Sequence, residues 1–115
     1  MRRAIRALTL MTSLAVPFSA AAETRAYEGE EAAALRCANT LALTAIAMST
    51  ADLISETEKQ VMLGVTVRIL DLHVSGSWPQ KRAAMKVMRD RRSVPDTLED
   101  YRKNAGRCLA QFPIN

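Results

Sequence analysis

The sequence predicts an all-α fold, a small antiparallel bundle of about four short helices closed by one disulfide. Three observations carry that prediction. Apolar residues recur at helical spacing in four separate segments, helix-start signals precede them, and the only two cysteines, Cys37 and Cys108, stand near the two ends of the chain that follows an export leader.

The leader comes first. Met1-Arg2-Arg3-Ala4-Ile5-Arg6 is basic, Ala7 to Phe18 is an apolar run, and Ala20-Ala21-Ala22 is a small-residue cleavage site. The run is broken by Thr9, Thr12, Ser13 and Pro17 and falls short of the roughly 20 apolar residues that span a bilayer. Arg2-Arg3 lacks the strongly apolar stretch that twin-arginine export requires, and no cysteine near the cleavage site is placed to take a lipid. Residues 1–22 are therefore read as a cleaved signal peptide and 23–115 as a single helical domain, periplasmic or secreted. The Ala-rich stretch from Ala32 to Met48 carries Arg36 and Asn39 and is also read as short for a span, so no transmembrane segment is expected in the mature chain.

A first helix is expected from near Glu28 to about Ser49. Glu28, Glu30 and Glu31 complement a helix N-terminus, Ala38, Ala42 and Ala45 line one flank, and Cys37, Leu41 and Met48 line the next. Ser55-Glu56-Thr57-Glu58 has capping-box spacing and opens a second helix in which Val61, Met62, Val65, Ile69 and Leu72 follow at helical spacing. The run Val65 to Ile69 suits a strand by propensity, but no other stretch alternates convincingly to pair with it. Gly76 is expected to end this helix in the left-handed conformation, and Pro79 to sit in the first turn of a third helix reaching Arg91. That helix turns Ala84, Val87 and Met88 inward and Arg82, Lys86 and Arg89 outward. Asp96-Thr97-Leu98-Glu99 reads as a second capping box, followed by an apolar stripe of Leu98, Tyr101, Ala105, Cys108, Leu109 and Phe112 before Pro113 stops the fourth helix. Connections this short favour antiparallel neighbours.

The formal charge of +4 belongs largely to the leader, because removing residues 1–22 takes away Arg2, Arg3 and Arg6 and leaves thirteen basic side chains against twelve acidic. Nucleic-acid binding has no support from such a balance, nor from the few stackable aromatics Tyr27, Trp78, Tyr101 and Phe112. What remains is polarity along the chain: residues 23–58 are net −5 and residues 59–115 net +6. The halves attract each other, or the basic half faces an anionic partner. Sequence alone leaves both open.

Cys37 and Cys108, both on core-facing positions in an oxidising compartment, are read as one structural disulfide tying the first helix to the fourth. Without Cys-x-x-Cys spacing, a redox pair is disfavoured. Lys81, Arg82, Lys86, Arg89, Arg91 and Arg92 form the densest charge in the mature chain, read either as a solvated face or as a contact for acidic protein surface or anionic lipid headgroups. His73, Trp78, Met85 and Met88 provide an alternative, a soft-metal site suited to copper, against the plainer reading of a helix-end histidine and core methionines. No phosphate loop, metal motif or haem attachment is present, and the lone histidine has no evident nucleophile, so the chain is not read as an enzyme and no cofactor is expected. The expectation is a small exported binding protein acting through protein–protein contacts in the cell envelope, with a small soft-metal or small-molecule carrier as the competing class.

Export predicts that mature protein recovered from cells starts at residue 23. Intact-mass measurement checks this, and cytoplasmic material retaining Met1 would contradict it.

Overall fold

A computed structural model describes residues 24–115, so the leader and its cleavage site lie outside the described residues. The chain forms α1 (Gly29–Thr50), α2 (Glu56–His73), α3 (Trp78–Asp90) and α4 (Val94–Gln111), the expected antiparallel bundle.

Side-chain caps start three of the helices. Ser55 and Glu58 form the reciprocal capping box read from the sequence. Ser77 and Gln80 form another at α3, with Pro79 in the first turn as expected. At α4 the structure corrects the sequence. The cap is Ser93, whose hydroxyl accepts from the Asp96 amide, so the helix begins at Val94, ahead of the proposed box at Asp96. Pro95 lies within that first turn, where a missing N–H costs nothing. α1 has no side-chain cap, and Glu30 and Glu31 supply the negative charge its first turn favours.

α1 is the element on which the others assemble, since α2, α3 and α4 each pack extensively against it. Its buried residues are Ala34, Leu35, Cys37, Ala38, Asn39, Thr40, Leu41, Thr44 and Ala45, which cover more than one face. By length and composition α1 is able to cross a membrane, longer than the sequence reading allowed, but half of its most apolar window is covered by the rest of the fold. Burial by three neighbours accounts for the same apolar character. Ile69, Leu70, Val74 and Phe112 complete the core around it, with Tyr101, Met85 and Met88 packed at its edge.

On three helices the apolar stripe is not buried along its whole length. On α2 the buried residues are Thr66, Ile69 and Leu70, whereas Val61 and Leu72 are exposed, because α2 packs mainly against α1 and its buried arc is correspondingly narrow. On α3, Val87 is exposed while Ala84 and Met88 are half-buried. Leu98 and Leu109 of the α4 stripe are exposed as well, whereas Phe112 at its end is buried.

Both ends of the described residues are strapped to α2 and the loop after it. Tyr27 donates to the Ser75 carbonyl at 2.7 Å, Arg25 donates to the Ser75 hydroxyl at 2.7 Å, and Glu31 accepts from the Ser75 amide at 3.0 Å. The Ser75 hydroxyl also donates to the Glu31 carboxylate at 2.8 Å, and the bonds from the Ser75 amide and hydroxyl hold that carboxyl below its ordinary pKa. α2 itself ends at His73 with extended Val74, so Gly76 does not cap it as expected. Gly76 instead makes the turn at φ +96°, where a Cβ would stand 2.7 Å from Gln80 Oε1 and 2.8 Å from the Tyr27 hydroxyl. At the other end, His73 donates from Nε2 to the Pro113 carbonyl at 2.7 Å and its ring meets Phe112 edge-on.

The Cys37–Cys108 disulfide is formed, with Cα atoms 5.6 Å apart and a sequence separation of 71. Closing a loop of that length stabilises the fold by about 4 kcal/mol in the chain-entropy model, a large share of what a small domain has.

Candidate functional site

The basic run of α3 and the loop after it divides into two groups with different work. Lys81 is buried, 6% exposed, and its ammonium donates to the Leu70 carbonyl at 2.9 Å. Leu70 is in the last turn of α2, where carbonyls lack helical partners and a cation meets the negative end of the helix. The Trp78 ring covers the same ammonium, 5.3 Å from its centroid. Lys81 therefore closes α2 and leaves the exposed stripe.

Arg92 leaves it too. Its guanidinium lies 2.7 Å from Asp100 Oδ2 on α4 and donates to Thr40 Oγ1 at 2.9 Å and Asn39 Oδ1 at 3.3 Å on α1. Asp100 also accepts from Thr40 at 2.9 Å, Arg36 at 3.3 Å and Asn104 at 2.7 Å. Asn39 in turn donates to the Met85 carbonyl at 3.2 Å, so one polar cluster joins α1, α3, the α3–α4 loop and α4. Burial pushes the Asp100 carboxyl up, but the hydrogen bonds from Asn104, Thr40, Arg36 and Arg92 outweigh it and hold the group well below the usual carboxylate range. From the sequence, Arg92 read as part of a basic surface, and Asp100 stood in the early part of the fourth helix with no cation assigned to it. The spacing Asp100 to Asn104, and Arg36 one turn before Thr40, were the only signals of the cluster.

Arg82, Lys86, Arg89 and Arg91 remain exposed. Arg82, Lys86 and Arg91 make no ion pair or side-chain hydrogen bond among the described residues, and Arg89 reaches only its neighbour Asp90, at 3.5 Å. The acidic first half of the chain does not neutralise them. The long-range ion pair between the two halves runs the other way, Arg36 to Asp100.

Apolar grooves border this face on both sides. One, of about 530 Å³, lies between the C-terminal half of α1 and the first turn of α4, with Leu43, Ile46, Val94 and Leu98 on its walls and Arg89 at its rim. The other, of about 420 Å³, lies between residues 24–27, α1 and α3, with Leu35 and Met88 within it and Arg91 at its edge. A smaller cavity of about 270 Å³ opens over the disulfide.

The four residues grouped as a soft-metal alternative are engaged in separate sets of contacts. His73 is bonded to Pro113 and packed on Phe112, Met85 and Met88 pack against the core, and the Trp78 face is taken by Lys81. Among the described residues no group of three or more His, Cys, Asp or Glu side chains is placed to hold a metal ion. No protein-family model, curated protein or solved structure matches this chain.

The depressed Asp100 pKa makes stability depend on acid in a defined direction. A carboxyl whose folded pKa lies below its unfolded value contributes fully above about pH 4 and progressively less as the pH falls through the unfolded and then the folded value. Asp100→Asn is expected to cost about 2–4 kcal/mol at pH 7, since it leaves Arg92, 14% exposed, without its carboxylate. Urea unfolding from pH 6 to pH 2 checks this. The gap between wild type and variant narrows with acid, and a constant gap would show that charge is not the source.

Proposed function

We propose that this protein is a small exported, non-enzymatic binding protein of the periplasm or secreted fraction, acting by protein–protein contact in the cell envelope, as immunity proteins, envelope chaperones and accessory subunits do. Its contact surface is the outer face of α3, and its partner presents an acidic surface. One observation carries the reading: Arg82, Lys86 and Arg91 hold no internal partner among the described residues, while the two basic groups the fold needs, Lys81 and Arg92, are drawn inward. Four exposed cations on one short helix and its exit repel one another, and an acidic partner removes that cost. The disulfide fits an oxidising compartment, as does the apolar N-terminal segment of the sequence.

Cross-linked capture from native cell envelope tests the surface. Arg82→Glu with Lys86→Glu is expected to reduce capture at least tenfold at physiological salt. Wild-type capture is expected to weaken as salt is raised, and the variant to keep the wild-type thermal midpoint within a few degrees. Undiminished capture by the folded variant would overturn the assignment.

A further inference from the structure

We infer that the groove between α1 and α4 binds a single-chain anionic amphiphile, its apolar chain lying along Leu43, Ile46, Val94 and Leu98 and its acidic head on Arg89. This goes beyond the protein-contact reading and uses a different part of the molecule. The two share only the neighbourhood of Arg89.

The lining determines the chemistry of the occupant. Five polar side chains border the groove, and all but Arg89 are already engaged. Thr50 donates to the Ile46 carbonyl at 2.8 Å, Thr97 donates to the Ser93 carbonyl at 2.9 Å, the Ser93 hydroxyl accepts the α4 cap bond, and Arg92 is spent on Asn39, Thr40 and Asp100. An occupant with polar groups along its length would bury them without partners. A hydrocarbon chain asks for none. At the rim Arg89 is exposed, with only the 3.5 Å approach to Asp90, and so is free to take one carboxylate or phosphate-type head. Val94 is 60% exposed and Ile46 51%, which leaves the apolar walls open to an occupant.

Size excludes a larger occupant. A helix about 10 Å across would fit only about one turn into a groove of about 530 Å³, whereas that volume is ordinary for a small-molecule site.

The test is a ¹H–¹⁵N NMR titration of the purified protein with dodecanoate and, separately, with dodecyltrimethylammonium, each kept monomeric. Dodecanoate is expected to shift the amides of Leu43, Ile46, Val94 and Leu98 saturably and to bind about tenfold more tightly than the cation, the effect of one charge-assisted contact. Arg89→Gln is expected to erase that preference. Leu98→Asp, or the more exposed Val94→Asp should the first disturb folding, is expected to abolish saturable binding of both. Arg82→Glu with Lys86→Glu, which removes the protein-contact face, is expected to leave the saturable shifts at the groove in place, so the two readings fail separately. Equal affinity for the two heads, saturable shifts centred elsewhere, or self-association that covers these amides without ligand would each overturn the inference.

Discussion

Three neighbours packing on α1 place a constraint on its sequence that an ordinary surface helix does not meet. A helix covered on several sides has no single apolar stripe, so α1 buries alanine, leucine and cysteine on faces that also carry Asn39, Thr40 and Thr44. Its alanines let α2 and α4 approach closely. Its polar residues then require partners, and the fold supplies them from α3, α4 and the loop between. Only the Thr44 hydroxyl, among buried side-chain atoms of the described residues, is left without one.

That need explains the fate of the basic run. A half-buried carboxylate on α4 facing two α1 hydrogen-bonding groups is stabilised by a cation beside it, and Arg92 is the residue the α3–α4 turn delivers. The same logic seats Lys81 at the end of α2. Once these two are committed inward, the exposed charge on α3 is set by what remains. Arg82, Lys86, Arg89 and Arg91 are therefore a surface property rather than packing groups, and they adjoin apolar grooves on either side.

Features governed by neighbouring residues were legible in the sequence. The Ser55 capping box, Pro79 in the first turn of α3, the four helices and the pairing of Cys37 with Cys108 all follow from local spacing or from there being just two cysteines. Features set by tertiary packing were not. Val61 and Leu72 keep helical spacing with Ile69 yet face solvent, since periodicity gives the direction of an apolar arc but not how much of it a partner covers. The start of α4 was missed because Ser93 and Asp96 both offer a cap three residues before a polar side chain, and Pro95 favours the earlier one. Asp100 was hidden because a carboxylate in the early part of a helix is ordinarily explained by the helix dipole. The Arg36 guanidinium, 64% exposed, joins that cluster only from its edge.

If α1 is the shared wall of the bundle, it is the last element to open. Native-state amide hydrogen exchange measures this directly, residue by residue. Amides from Ala34 to Ala45 are expected to exchange only through global unfolding, with α3, the shortest helix, opening at lower free energy. Exchange of those α1 amides through a low-energy local opening, while α2 and α4 stay protected, would contradict the account.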